Sequence, residues 1–367
     1  MIRRIAFAVG DTAGHVMPAL AIAEAYHALF PGTVDVRLFA APGGPASRLA
    51  AAAGLEIEIV SASQLARAGL LARIGALARV VRGIPAARRL LRKTGARLVI
   101  GTGGYASGAV LIAARSLGLA TAVVEPNVTP GLANRLLRPW VDRAYVSAKA
   151  SAQYFTPARA FIAGTPVSPA LGRRFQAARV APLPDAPIHV LVTGASRGEH
   201  FLDAEIPALL GVVQRLGVAL DVWHQSGSID AAMLEREYER HSVRATVVNF
   251  LDNMPDAYEW AHFVIGRAGA GTLAELAVAG LPALIVPLAD AAADHQASNA
   301  AGHAQSGAAI WLREQAWDRD AVARQVSQVL LSRDRWMAMS SAARQVARPE
   351  AAAAIVDDCE RLMEGRW

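Results

Sequence analysis

The chain has 367 residues, 53% of them hydrophobic, which is long for one core and points to two domains. Its single cysteine excludes an internal disulfide framework, and the lack of any Cys/His cluster argues against structural zinc; both fit a reducing cytoplasm. The net charge of +6 divides unevenly, about +12 over residues 1–165 and −6 over 166–367, and ten Lys/Arg with no acid lie between Ile59 and Val124. Such a face suits an anionic partner: a membrane surface, a diphosphate lipid or a nucleic acid.

In chain order, Met1 to Asp11 holds two arginines and a short apolar run, and reads as a first β-strand and not as a signal peptide. Ile5–Val9 leads into Gly10…His15. Further strands are expected at Val34–Ala40, Leu98–Ile100, Thr121–Val124, Arg143–Val146 and Phe161–Ile162. Residues 166–186, rich in proline, read as a linker between a domain over 1–165 and one over 187–341. The second domain opens as the first does: Ile188–Val192 leads into Gly194…His200. Its other strands are expected at Leu220–Trp223, Thr246–Asn249, Phe263–Ile265, Ala283–Val286 and Ala308–Trp311. Ala342 to Met363 reads as one terminal helix. Apolar strands alternating with helical segments imply an α/β fold with parallel sheets. No run of 18 apolar residues appears, so no spanning helix is expected.

The chemistry concentrates at strand ends. After Phe263–Ile265 come Gly269, Ala270, Gly271 and Thr272, then a helix. Small residues at a helix start let backbone N–H groups approach an anion. Glu275, about one turn on, suits a ribose diol, and Gln296 and Asn299 after the next strand suit a polyol. Together they describe a nucleotide-sugar pocket; an ordinary strand–turn–helix is the alternative for the glycines alone. His15 follows the first strand, where ligands bind in open α/β sheets, and an imidazole suits a base for a sugar hydroxyl. The alternative is a histidine that merely caps a helix start. Glu125 and Asn127 follow another strand end; they either orient an acceptor or assist His15, or they cap the next helix. Asp318-Arg319-Asp320 is the one D-x-D triplet, and its place before a helix favours capping over metal binding, so no metal is expected. Residues 65–93 mix leucines with eight Lys/Arg, which suits an anionic membrane surface. A core-facing amphipathic helix is the alternative. No aromatic interleaving accompanies the arginines, so no nucleic-acid partner is expected.

These blocks carry a family resemblance. Val264 to Ala300 resembles the donor-site signature of the peptidoglycan lipid-intermediate N-acetylglucosaminyltransferases, the MurG family. Gly10–His15 with Pro18–Leu20 resembles the family's first glycine loop and Gly101–Gly108 the second. Glu125–Asn127 with Pro130–Asn134, Gly164–Val167, Gly194–Gly198, Trp223–Gly227 and Phe250–Met254 follow in family order. The resemblance covers nearly the whole chain. It implies the GT-B fold, two Rossmann-like domains with parallel sheets facing across a cleft, with residues 342–367 returning to the N-terminal domain. It implies an inverting transfer of N-acetylglucosamine from UDP-GlcNAc to the lipid-linked muramoyl-pentapeptide, without cofactor or metal, by a cytoplasmic protein peripheral on the inner face of the membrane. It places Ser196, Arg197, Leu251 and Met254 with Ala270, Gly271, Thr272, Glu275, Gln296 and Asn299 on the donor. Asp11, Thr12, Gly14, Gly103, Gly104 and Tyr105 would lie on the acceptor side, with His15, Glu125 and Asn127 at the reaction. The chain departs from the family pattern at Asp11 (usually Gly), Val124 (His), Ser168 (Arg), Ala195 (Gly) and Arg197 (Gln). Three alternatives stay open: a paralogue with another acceptor, a UDP-sugar epimerase, and a non-catalytic UDP-sugar-binding protein.

Overall fold

The computed structural model describes all residues except 1, 11, 43–44, 61–69, 184–185, 195–199, 228, 252, 292–293 and 366–367; for 70–79 and 105–106 it describes the backbone alone. The described chain forms two compact units, Met1–Ala170 with Arg348–Trp367, and Leu171–Ala347.

The first unit is a parallel sheet of seven strands: β1 Arg3–Ala8, β2 Val34–Ala40, β3 Glu56–Ile59, β4 Leu98–Gly101, β5 Ala120–Glu125, β6 Arg143–Val146 and β7 Ala160–Ile162. Their order is β3-β2-β1-β4-β5-β6-β7. Strand order reverses between β1 and β4, so their following loops flank the crevice where open α/β sheets bind ligands. Ile5, Phe7, Leu98, Ile100 and Val124 are all at most 2% exposed, which is why these strands are apolar throughout. β3 breaks that rule and escaped the sequence reading. Its Glu56 and Glu58 alternate with apolar residues, and both carboxylates reach Arg37 on β2, at 2.6 and 3.5 Å.

The second unit holds β8 Ile188–Thr193, β9 Leu220–Gln225, β10 Arg244–Val248, β11 Phe263–Gly266, β12 Ala283–Ile285 and β13 Ala309–Trp311. All are parallel in the order β10-β9-β8-β11-β12-β13, with the reversal between β8 and β11. The loops after those two strands carry Gly194 and Gly269. Among the described residues no helix is long and apolar enough to cross a membrane.

Two segments differ from expectation. Residues 166–186 include a helix, Pro169–Arg174, and are tied down by arginines. Arg179 donates to the carbonyls of Ala279 and Ala261, each at 2.7 Å, and of Tyr258; Arg344 donates to Phe175 and Ala177. Burial lowers the Arg179 pKa to about 10. Ala342 to Met363 is not one helix: it divides into Arg333–Val346 and Ala351–Glu364. Pro349 has no N–H and disfavours helical backbone at Arg348, so the chain breaks there.

The last helix packs Ile355, Val356, Cys359 and Met363 into the core beside Val16, Ile22 and Tyr26. The Cys359 thiol lies 3.1 Å from the Tyr145 hydroxyl, which also donates to Asp358 at 3.0 Å. Burial pushes the thiol up to about 12, against its hydrogen bonds with Tyr145 and Tyr26. Native protein at pH 8 is therefore expected to resist iodoacetamide, and denatured protein to take one equivalent. Rapid native labelling would show that this helix detaches.

Candidate functional site

In the second unit the loop after β11 turns into a helix over Ala270–Ala279. Its N-cap, Gly269, is extended at φ −62° and ψ 132°; no side chain caps the helix and its first turn holds no acid. Ala270, Gly271 and Thr272 form that first turn. A Cβ built on Gly271 meets nothing within 4 Å, so packing does not demand glycine there. Glycine inside a helix costs about 0.5–1 kcal/mol relative to alanine. Gly271→Ala is accordingly expected to raise the melting temperature by a few degrees and to weaken UDP binding at least tenfold. Higher stability with unchanged UDP affinity would remove Gly271 from the pocket.

Glu275 lies in the second turn and accepts a 2.8 Å hydrogen bond from Tyr258. Burial raises its carboxyl to about 7, and the Tyr258 bond opposes that rise. Gln296 Oε1 accepts from the N–H of Ala268 at 3.2 Å and of Leu288 at 3.0 Å, so it joins the loops after β11 and β12. Asn299 donates to the Ala268 carbonyl at 3.2 Å and is 4% exposed. Both polar groups of one peptide residue ahead of the helix are thus held by Gln296 and Asn299.

Arg267 was not singled out from the sequence. It is 3% exposed, donates to Val286 O at 3.1 Å and to Glu314 Oε1 at 2.6 Å, and lies over the Phe201 ring. Its signal was a lone basic residue between an apolar strand and a glycine turn. Leu251 is partly buried after β10, and Met254 opens the helix Met254–Trp260 behind the N-cap Asn253. Ser196 and Arg197 lie outside the described residues. His224, in the Trp223–Gly227 block, is a core residue: its Nδ1 is 2.7 Å from the Tyr238 hydroxyl and its Nε2 is 3.3 Å from Asp203. Burial lowers its pKa. Asp318 caps a helix by accepting from Ala321 N at 3.0 Å. Among the described residues no three His, Cys, Asp or Glu are grouped as a metal site.

In the first unit, His15 sits in the first turn of the helix Ala13–Leu29, with Nδ1 3.2 Å from Thr12 Oγ1. Three glycines enclose the imidazole. A Cβ on Gly10 would fall 2.4 Å from Nδ1, and one on Gly103 3.0 Å from Nε2. One on Gly104 would fall 2.6 Å from Gly10 Cα. The loops after β1 and β4 therefore meet around His15, which sequence spacing does not reveal. Gly14 is exposed on the same helix. Tyr105 opens the helix Tyr105–Ser116, but its side chain and Asp11 lie outside the described residues.

Glu125 is 2% exposed at the end of β5. Oε1 accepts from the backbone and side-chain nitrogens of Asn127 at 3.0 and 2.9 Å; Oε2 accepts from Gly131 N at 2.9 Å and Asn134 Nδ2 at 3.0 Å. Burial raises its pKa, against those four bonds. Residues 126–131 are folded around this carboxylate, with Asn127 as one of its donors. Val124 is buried in the sheet, and Ser168 donates to Glu24 at 2.6 Å.

The glycosyltransferase family 28 N-terminal domain matches residues 5–146, and the family 28 C-terminal domain matches 189–355. A UDP-N-acetylglucosamine–N-acetylmuramyl-(pentapeptide) pyrophosphoryl-undecaprenol N-acetylglucosamine transferase from Nitratidesulfovibrio vulgaris is 36% identical over 99% of this chain and 98% of its own length. The chain belongs to the MurG family of glycosyltransferase family 28. The crystal structure of Acinetobacter baumannii MurG superposes with a TM-score of 0.77, 26% identity and coverage of 98% of this chain and 99% of that one. A solved UDP-N-acetylglucosamine 2-epimerase gives a TM-score of 0.67 at 13% identity, covering 97% of this chain and 95% of that one. The second likeness shows the α/β fold alone, so the fold by itself does not separate a MurG-family transferase from an epimerase.

Proposed function

We propose that this protein transfers N-acetylglucosamine from UDP-GlcNAc to a hydroxyl of the lipid-linked muramoyl-pentapeptide diphosphate, the step from lipid I to lipid II in peptidoglycan synthesis. The observation that carries the reading is an uncapped helix start at Ala270–Thr272, with open space at Gly271 and a Tyr258-held Glu275 one turn on. The helix amides take the diphosphate, and Glu275 takes the ribose. The Leu251 backbone reads uracil and Gln296 meets the sugar, while Asn299 braces the loop beneath.

His15 acts as general base. It takes the proton from the acceptor hydroxyl as that oxygen bonds to the sugar C1, and the bond from C1 to the β-phosphate oxygen breaks. UDP leaves with both electrons of that bond. One displacement converts an α-linked donor into a β-linked product. Glu125 is a positioning residue: its four hydrogen bonds set the loop that presents Asn127. The helix dipole and amides neutralise the leaving diphosphate without a metal ion.

The test is incubation with UDP-GlcNAc, with and without lipid I, in the presence of EDTA. Acceptor-dependent UDP release and a disaccharide lipid are expected. Release of an epimerised UDP-sugar without acceptor would replace this reading. Activity lost in EDTA and restored by magnesium would overturn the metal-free part.

We place the protein on the cytoplasmic face of the membrane. Over Val80–Thr94 the basic segment behaves as a core-facing helix, with Val80, Ala87 and Leu91 buried and Arg82, Arg89, Arg92 and Lys93 exposed. Exposed Leu132, Leu136 and Trp140 near Arg135 and Arg138 add an apolar element. Binding to phosphatidylglycerol vesicles at low salt is expected, with release at high salt. Leu136→Ser with Trp140→Ser should weaken it several-fold and leave UDP binding intact. A wild type that ignores such vesicles would overturn the membrane assignment.

A further inference from the structure

We infer that Arg313 and Asp294 form a latch that positions Gln296, so that this ion pair sets affinity for the sugar and not for the nucleotide. The inference rests on the donor-site reading above and extends it to Asp294 and to Arg313, 19 residues further on. Arg313 and Glu314 follow β13 and reach in opposite senses. Glu314 turns inward to Arg267, whose guanidinium also holds the Val286 carbonyl at the end of β12. Arg313 turns outward and grips Asp294 with two parallel bonds, Nη1 to Oδ1 at 3.0 Å and Nη2 to Oδ2 at 2.6 Å. Such a fork-to-carboxylate pair fixes direction as well as distance.

Two oddities of Asp294 point the same way. It is a non-glycine residue in the left-handed region, at φ 53° and ψ 29°. It is also the N-cap of the helix His295–Gln305, yet its side chain caps no N–H of that helix. An N-cap aspartate ordinarily gives its oxygens to the N2 or N3 amide. Here the described bonds of the carboxylate go to Arg313, from a backbone in the left-handed region that aspartate visits more readily than most residues. Two residues on, Gln296 ties Leu288 N back to Ala268 N. Gln296 is thus held at Leu288 and Ala268, and Asp294, two residues before it, is held by Arg313. Both latch residues are about half exposed, at 47% and 51% for the side chains, so the pair contributes little to folding. Its effect falls on where Gln296 stands.

The experiment is calorimetric titration of the full chain with UDP-GlcNAc and, separately, with UDP. Arg313→Gln and Asp294→Asn should each raise the Kd for UDP-GlcNAc about 5–10-fold and change that for UDP less than twofold. The double variant should be no worse than either single, and the swap Asp294→Arg with Arg313→Asp should recover part of the loss. Melting temperatures should stay within a few degrees of wild type. Equal weakening of UDP and UDP-GlcNAc, strictly additive losses, or wild-type affinities in the single variants would each overturn the latch. A wild type with no affinity for UDP-GlcNAc would overturn the donor-site reading and the latch with it.

Discussion

His15→Ala is expected to lower kcat for acceptor-dependent transfer about 10²–10⁴-fold, the usual contribution of a positioned general base. The Kd for UDP-GlcNAc should stay within about twofold of wild type, because the donor contacts proposed above all lie in the other unit. Gly10→Ala gives an independent version of the same result. Its new methyl would stand 2.4 Å from His15 Nδ1, and the neighbouring Gly103 and Gly104 backbones leave the ring no simple retreat. It should therefore reproduce most of the kcat loss with the imidazole still present. Single-turnover rates with saturating donor and acceptor provide the measurement. Near-normal turnover in His15→Ala would sink the assigned base, and a rise in acceptor KM with kcat unchanged would reassign His15 to acceptor binding.

The second large effect concerns Glu275 and pH. Its carboxyl holds a proton up to about 7 in the free protein, chiefly because desolvation disfavours the charged form. A ribose diol donates to the ionised form, so UDP-GlcNAc affinity should be level above about pH 8. Below about 7 it should fall by up to tenfold per pH unit. The diphosphate of a UDP-sugar is a diester whose charge is constant over this range, so the ligand adds no titration of its own. Glu275→Ala should cost about 1.5–3 kcal/mol of UDP-GlcNAc binding at pH 8, and should remove the pH dependence. The same shift affects stability. The unfolded chain releases this proton near the ordinary carboxylate pKa while the folded one retains it. The contribution is thus fully present below that pKa and is lost as pH rises through about 7. Glu275→Gln should accordingly melt higher than wild type at pH 8, with the gap closing towards pH 4.5. Flat affinity between pH 5.5 and 8 would take Glu275 out of the pocket.

Strands β1, β4, β5, β8 and β11, and the glycine turns after β1, β4 and β11, were legible because each is written in adjacent residues. A buried parallel strand needs an unbroken apolar run, and a tight turn needs small residues. The sites at strand ends followed from the same local signals. The sequence by itself determined two parallel α/β units and a helix start of small residues with an acid one turn on. What it left open was decided by contacts between distant segments. Glu125 read as orienting an acceptor, assisting His15 or capping a helix, and the fold brings four donors onto its carboxylate. Asn299 read as a sugar ligand, and the structure seats it against Ala268 O. The glycines at 10, 103 and 104 became interdependent only when β4 was laid beside β1. Asp294 stood in a polar cluster with Gln296 and Asn299, but its pairing with Arg313 carries no local signal, because an ion pair is specified by strand order and loop placement. Side-chain period and turn chemistry act over a few residues. Which side chain meets which is set by tertiary packing, and there the polar groups of this protein find their partners.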